Sequence, residues 1–489
     1  ARSEPISWAS RPDEKIEEFL KTRNVTDLED ITAIIYNLRN LSERHGKRSA
    51  EEQLQQQYLK KLERLPGPSE LGKTYTQSDE NPTFLNHRPP SAEGIPTELL
   101  HPVFGQFLDD CASAQPTMDD VQFAVSFSTS MLRYYNSEGD RADRLRNLFA
   151  DHYVIGLKGS TIRNAITDAT WFPDSKSNFM AMNIEVKNEP GRNGDSFIQN
   201  IGYYQQYILS HERREMIRLP CFLISVVGPT LSISRAIFGA RITIDAHPNT
   251  LSFACSSYNT EYFARIFRAL KNAIETLREY YSNNIPDIEP EQREFPYLNS
   301  FQSGGSRIHF KYRRALNPHL LIFIVDIDVD VNDAPGLPQQ LLVKFTRRYG
   351  VEAHRECASL GIAPELFGFE VLAGGWKAVV MAYKGDDFKT LLECTFDEKI
   401  KTAVKETAVK MHRKGFVHGD LRDVNILYHC QQARDRVDIL FIDWDWAGKE
   451  GEARYPPTMN PKISRHQNAV AHQLIWKEHD DHMLDIMFR

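Results

Sequence analysis

The chain has 489 residues, with 59 Lys or Arg against 66 Asp or Glu and a net charge of −7. At roughly 100–200 residues per domain this length predicts two to four domains, and 41% apolar with 26% charged residues excludes a chain disordered throughout. The acidic balance excludes a globally basic nucleic-acid binder but leaves room for a local basic channel, and no apolar run reaches the ~18–20 residues of a spanning helix, so no membrane association is expected. Six scattered cysteines (Cys111, Cys221, Cys255, Cys357, Cys394, Cys430) form no CxxC and no Cys/His cluster. That usage suits a reducing compartment rather than a disulfide scaffold or a structural zinc site. The opening Ala-Arg-Ser-Glu-Pro holds no apolar signal core, and the missing initiator Met is what a processed or trimmed chain would show.

Residues 1–96 read as a helical region and linker. Leu28, Ile31, Ile34, Ile35 and Leu38 recur at helical spacing within Thr26–Leu41, and a second helix is predicted over Ala50–Leu65, stopped by Pro66 and Pro68. These helices are a possible surface for a protein partner. The polar stretch Thr74–Pro96, with four prolines, is predicted to be loop. From 97 to 285 helices are predicted at Asp119–Tyr135, Glu138–His152, Asp195–Ser210 and Glu261–Tyr281, and strands at Ala169–Pro173, Met180–Lys187, Cys221–Val227 and Ala240–Asp245. A linker follows at 286–296. From 297 to 489 the predicted strands are Arg307–Tyr312, Leu320–Asp326, Leu341–Phe345, Ala378–Ala382, Asn425–Tyr428 and Ile439–Ile442, with a helix over Phe396–Lys414.

The strongest motif is Val417-His-Gly-Asp-Leu-Arg-Asp-Val-Asn-Ile-Leu427, which fits H-x-D-L-x-x-x-N, followed by a strand ending Ile442-Asp-Trp-Asp-Trp446. An Asp at the start of such a loop accepts a hydroxyl proton. An Asn five residues on and an Asp ending the next strand face the same cavity as Mg²⁺ ligands. Asp420, Asn425 and Asp443 fill these places. The region resembles protein-kinase-like enzymes, closest to the fungal kinase-like and aminoglycoside-phosphotransferase-like branch. The resemblance implies ATP as cofactor, Lys344 of Leu342-Val-Lys-Phe345 on the phosphates, and Glu352 as its helix partner, with Glu356 as runner-up. It also implies a hinge at Val379–Tyr383. The glycine-rich loop, Gln302-Ser-Gly-Gly-Ser-Arg307, departs from G-x-G-x-x-G, no A-P-E signature is present, and only 46 residues follow Asp443. Nucleotide binding is therefore better supported than transfer to a protein.

The second motif is D-x16-E-x-K within Thr167–Lys187. A hairpin turning within Ser175–Asn178 pairs Asp168 with Glu185, and Lys187, two residues on, points to the same strand face. Two acids and a lysine so placed hold Mg²⁺ or Mn²⁺ and polarise a water against a phosphodiester. Asp174 falls near the turn and is rejected. Gln199-Asn-Ile-Gly-Tyr203 fits Q-x-x-x-Y as in RecB-like nucleases, and Glu138 opens the helix before the first strand. This region resembles the α/β core of the PD-(D/E)xK restriction-endonuclease-like family over about 97–285. The resemblance implies Asp168, Glu185, Lys187 and Gln199 as catalytic and Glu138 as third metal ligand, with Asp109 as its alternative. Arg141, Arg144, Arg146, Lys158, Arg163, Arg192, Arg213, Arg214 and Arg218 are candidates for a phosphate track on DNA. Trp171, Tyr203, Tyr204 and Tyr207 are candidates for base stacking, although aromatic residues so spaced are more often core.

The combination resembles Crinkler-type effectors and related fungal proteins. The expected fold class is thus multidomain: a helical N-terminal region, an α/β PD-(D/E)xK nuclease-like core, and an α+β bilobal protein-kinase-like domain with a short C-lobe. The expected function is a Mg²⁺-dependent DNA endonuclease regulated by ATP, acting inside a cell and by analogy in the nucleus. The alternative is a kinase acting on a protein or small molecule, with the nuclease-like fold as a binding module.

Overall fold

Two six-stranded sheets organise the chain, each with its own hydrophobic core. The computed structural model describes residues 53–489 except 174–177, 192–193, 254–257, 318, 329–335, 394–396 and 430–436. The expected Thr26–Leu41 helix, Asp174 and Arg192 lie outside the described residues.

In the first module, helix α1 (53–63) and α2 (Pro68–Thr74) precede α3 (Pro102–Ser113), α4 (Met118–Met131) and α5 (Glu138–Tyr153). A short hairpin follows, β1 (Thr161–Ile162) and β2 (Ala165–Ile166), then β3 (Ala169–Trp171), β4 (Met182–Lys187), α6 (Ser196–Ser210), β5 (Cys221–Val227), β6 (Thr230–Phe238), β7 (Ile242–Ala246), β8 (Leu251–Ser252) and α7 (Tyr258–Ser282). The sheet runs β3-β4-β5-β6-β7, with β8 on β6, and only β4 and β5 are parallel. A parallel neighbour needs a crossover, which α6 supplies. Local chemistry sets the helix starts. Thr117 and Asp120 form a capping box on α4, Ser137 caps α5, and the Asp195 carboxylate accepts from the Phe197 and Ile198 N–H groups. On α7 the residues Phe263, Ile266, Phe267, Leu270, Ile274 and Leu277 are all buried, each contributing about 1.5–3 kcal/mol of apolar transfer.

The segment read as appendage and linker packs on this core. Leu59, Leu62, Leu71 and Phe84 are buried in it, Gln205 donates to the Leu62 carbonyl, and Leu85 runs parallel beside Thr243 of β7. The apolar face of the second N-terminal helix is therefore covered by the chain's own core. Helix α3, for which no prediction was made, begins at His101, whose Nδ1 accepts from the Val103 N–H.

The second module opens with β9 (Ser300–Ser303), β10 (Ser306–Asn317), β11 (Ile322–Ile327) and β12 (Gln340–Thr346), then α8 (Val351–Ser359), β13 (Leu366–Val371) and β14 (Lys377–Ala382). These six strands form an antiparallel sheet in the order β13-β14-β12-β11-β10-β9. The Gly304-Gly305 pair is the β9–β10 turn, with φ of 55° and 89° that glycine alone adopts freely. After it come β15 (Phe388–Thr390), α9 (Glu398–Arg413), β16 (Phe416–Val417), β17 (Ile426–His429), β18 (Ile439–Phe441), β19 (Gly448–Lys449) and α10 (Lys477–Met487), around a third core that includes Leu391, Val404, Met411, Leu421, Phe441 and Trp444.

The modules touch through α3 and the turn Ala373–Gly375. Asp109 Oδ2 accepts from the Gly374 N–H at 2.8 Å, and a Cβ on Gly105 would meet the Ala373 backbone at 2.7 Å. Nearby, the buried Glu98 carboxylate lies 3.0 Å from Arg235 of β6 and 3.5 Å from Arg347, just beyond β12.

Candidate functional sites

In the second module the β12 lysine meets the residues after β18, and the Ile442 backbone joins that pair to the H-x-D-L-x-x-x-N loop. Lys344 is nearly buried, and its ammonium meets Asp443 Oδ1 at 2.5 Å and Asp445 Oδ1 at 2.7 Å. Burial acts to discharge Lys344, but the two carboxylates outweigh it and hold its pKa above the usual lysine value. Burial likewise acts to raise Asp443, and the lysine charge and hydrogen bond outweigh it, leaving the carboxyl below its usual range. Asp445 goes the other way, raised by burial and by the neighbouring Asp443.

The loop itself is braced from beneath. Asp480 of α10 accepts from the His418 and Gly419 N–H groups, each at 2.8 Å. His418 accepts from the Asp420 N–H on Nδ1 and donates from Nε2 to the Ile442 carbonyl at 2.9 Å, so one imidazole ties the loop to the strand before Asp443. The Ile442 N–H donates to the Asn425 carbonyl at 3.0 Å, and the Asn425 amide nitrogen donates to Asp420 Oδ2 at 3.1 Å. That turns the Asn425 amide oxygen away from Asp420. Asp443 holds a left-handed φ of 66°, a strained conformation that surrounding structure must enforce. The Asp420 carboxylate is gripped by Arg422 at 2.7 Å and by Arg465 at 2.8 Å.

The helix partner inferred for Lys344 is not among its ion pairs. Glu352 lies 3.9 Å from Lys449 and Glu356 pairs with Lys414 at 2.7 Å. Both carboxylates of α8 face other lysines, and Asp443 and Asp445 take the Lys344 ammonium instead. Asp445 went unassigned although it stands two residues after Asp443 in the motif. Arg465 and Asp480 carry no local signal.

In the first module the β3–β4 register pairs Ala169 with Ile184, which extends to Asp168 opposite Glu185. Asp168 Oδ2 accepts from the Val186 N–H at 2.8 Å, and Lys187 Nζ lies 2.6 Å from Glu185 and 3.7 Å from Glu138. Burial, then the neighbouring Asp168, pushes Glu185 up to about 8 against the pull of Lys187, and burial also raises Asp168. Lys187 itself is raised, the carboxylates outweighing its desolvation. Glu185 Oε2 is buried with no hydrogen-bond partner. Gln199 donates to Tyr203 Oη at 3.3 Å, and Tyr203 feels the Glu185 charge. The three carboxylates do not close to within 4.8 Å of one another, because Lys187 stands between Glu185 and Glu138.

Other candidates fall elsewhere. Asp109 holds the turn of the second module and does not join this cluster. Arg141 is buried and donates to the Met131, Asn188 and Gly228 carbonyls, and Arg218 is buried on the Leu100 and Phe295 carbonyls. Arg213 pairs with Asp287. These three are backbone clamps, so the phosphate track does not form as a continuous row. Trp171, Tyr204 and Tyr207 are core.

The chain matches no protein-family model and none of the curated proteins. Among the solved structures to which it is similar are several kinases. The PK-1 kinase of the Cydia pomonella granulovirus is 13% identical with a TM-score of 0.27, over 36% of this chain and 65% of that one. Vaccinia related kinase 3 is 13% identical at 0.26, over 40% and 69%. The BubR1 kinase domain is 11% identical at 0.28, over 45% and 72%. The chain thus spans somewhat less than two thirds of the granulovirus kinase.

Proposed function

We propose that the second module is a Mg²⁺- and ATP-dependent phosphoryl transferase of the kinase-like class. The observation that carries this reading is that the Lys344–Asp443 pair and the Asn425–Asp420 pair are joined through the Ile442 peptide, whose carbonyl accepts from His418 and whose N–H donates to the Asn425 carbonyl. The donors fit the ion: a carboxylate and an amide oxygen are the hard ligands that Mg²⁺ takes. Asp443 and Asn425 would hold it, and bound there it neutralises phosphate oxygens. Lys344, kept charged, balances the nucleotide phosphates, and Asp420 takes the proton of the attacking hydroxyl. Purified chain with labelled ATP, and with basic protein and aminoglycoside acceptors, tests this. Transfer is expected to disappear in Asp420→Asn while ATP binding persists. Equal transfer by the variant would sink the assignment.

A second reading is favoured by one specific observation in the first module, the buried, unpartnered Glu185 Oε2 beside Asp168 and Lys187. It supports a Mg²⁺- or Mn²⁺-dependent DNA endonuclease. Asp168 and Glu185 would hold the ion, which supplies an activated water, and Glu138 would join them only if Lys187 moved from between it and Glu185. Lys187 stabilises the charge on the phosphate, and Gln199 with Tyr203 flanks the carboxylates. The order α5, β3, β4, α6, β5 supports the PD-(D/E)xK likeness. Supercoiled plasmid incubated with Mg²⁺, with and without ATP, tests it. No nicking by wild type, or undiminished nicking by Glu185→Gln, removes this reading and leaves the first untouched.

A further inference from the structure

We propose that His466, Glu478 and His479 form a binding site for a first-row divalent cation of the Zn²⁺ type, and that the cation fastens the segment carrying Arg465 over Asp420. After β19 the chain runs out and returns. The Tyr455 N–H donates to the Gln473 carbonyl at 3.0 Å and the Ile475 N–H to the Ala453 carbonyl at 2.8 Å, so residues 456–472 are a loop closed at its base. His466 lies in that loop, and Glu478 and His479 open α10. One donor atom from each of the three lies within 4.8 Å of the others. Two imidazoles and a carboxylate are the ligand set that Zn²⁺ prefers over Mg²⁺.

The second observation is His479 itself. It is 2% exposed, and its Nε2 has no hydrogen-bond partner. Its Nδ1 faces Tyr455 Oη at 3.2 Å and the Trp476 N–H at 3.4 Å. As it stands Nδ1 accepts from the Trp476 N–H, which puts the neutral ring's proton on the unpartnered Nε2; a cation at Nε2 displaces that proton, and Nδ1 then carries one toward Tyr455 Oη, the outer partner that ligating histidines usually have. The His466 ring stacks on His479 with centroids 5.0 Å apart, and the His482 ring is 5.3 Å from His466. Two imidazoles and a carboxylate with donor atoms this close, one of the rings buried, have a shared cation as their simplest common partner. The other cluster of this kind, Asp119, Asp120 and His152, is otherwise explained: Asp120 closes the capping box, and Lys271 lies 3.6 Å from Asp119.

The site touches function through residue 465. Arg465 is buried, lies over the Trp446 ring at 4.8 Å from its centroid, and donates to Asp420 Oδ1 at 2.8 Å. Asp420 Oδ2 is taken by Arg422 and Asn425. Both oxygens of the proposed proton acceptor are thus engaged while the loop stays in place. The restraint on Asp420 rests on the phosphotransferase reading, but cation binding and loop fastening do not.

The test uses the full chain stripped with chelator. Zn²⁺ affinity is measured by calorimetry, and Co²⁺ is added as a spectroscopic probe, in wild type, Glu478→Gln and His466→Gln. One high-affinity Zn²⁺ per chain is expected, with visible Co²⁺ bands of tetrahedral type. Each variant should weaken Zn²⁺ binding by roughly tenfold to a hundredfold or more with an unchanged circular dichroism spectrum. No Zn²⁺ binding by wild type, or equal affinity in both variants, overturns the site. Zn²⁺ should also slow proteolysis within residues 456–472 of wild type but not of the variants, and equal cleavage with and without Zn²⁺ overturns the fastening. Neither readout requires phosphoryl transfer, so failure of the kinase reading and failure of this one are separately visible.

Discussion

Each module sets a lysine among carboxylates, and the two arrangements resolve differently. Lys187 and Glu185 come from one strand, two residues apart, with Glu138 reaching in from a helix start. There desolvation and mutual repulsion win, and Glu185 retains its proton up to about 8. Lys344 is met by Asp443 and Asp445, 99 and 101 residues further along the chain. There the lysine wins over burial at Asp443, which stays below the usual carboxylate range. The first site sets three carboxyl groups against one lysine and the second sets two. Adding a divalent cation should therefore relieve the first and compete with Lys344 at the second.

The largest effects should come from removing one partner of each lysine site. Asp443→Ala or Lys344→Ala is expected to lower ATP-dependent transfer by roughly 10²–10³-fold, read as initial rates with labelled ATP. A rate within twofold of wild type would break the comparison on the kinase side. In the first site, Lys187→Ala or Asp168→Ala is expected to lower Mg²⁺-dependent plasmid cleavage by about 10²-fold, read on gels. Cleavage that survives both substitutions would leave that cluster a structural one.

The contact between the modules gives the next effect. Glu98 is buried between Arg235 and Arg347, and Glu98→Gln strips charge from a buried pair at a cost of about 3–5 kcal/mol. Chemical denaturation should show the loss, and Arg347 lies three residues beyond Lys344, so any ATP response of the first module should shrink with it. Gly350→Ala is expected to cost about 1–3 kcal/mol, since its Cβ would stand 2.2 Å from the Ala447 carbonyl oxygen. An unchanged melting temperature would mean that this loop yields freely.

A further effect is on pH. Burial holds His101 down to about 3 and His354 down to about 4. The unfolded chain takes up protons near 6.5 that these folded imidazoles refuse, so stability is fully present above that pH and falls as pH drops through it, by about 1.4 kcal/mol per pH unit for each group. Melting temperatures at about pH 7 and about pH 5 check the sign, and His354→Gln should flatten the slope. A melting temperature that rises on acidification would contradict it.

Much of the strand and helix pattern was legible. Cys221–Val227 has the bounds read from sequence, and the Asp168–Glu185 register follows from period-two alternation and the turn length. Strand β6, Thr230–Phe238, escaped notice because Ser232, Ser234 and Arg235 interrupt its apolar run, although all but Thr230 and Ser232 are buried. Glu352 was misplaced because a helix's rotation is set by what it packs on, and no local spacing encodes that. Arg141 and Arg218 looked like surface cations, yet they are buried and clamp carbonyls.

By itself the sequence determined what local chemistry can carry: the H-x-D-L-x-x-x-N loop, the E-x-K strand, the caps that start α4, α5 and α6, and the apolar stripe of α7. Those depend on neighbours within a turn or a hairpin, where spacing fixes direction. Only the tertiary structure decided which carboxylates meet Lys344, that Asp480 holds the H-x-D-L-x-x-x-N loop from 61 and 62 residues away, and that Arg465 closes on Asp420. Those contacts join elements distant along the chain, and burial decides there which charge survives, because desolvation and Coulomb attraction act through space and not along the sequence.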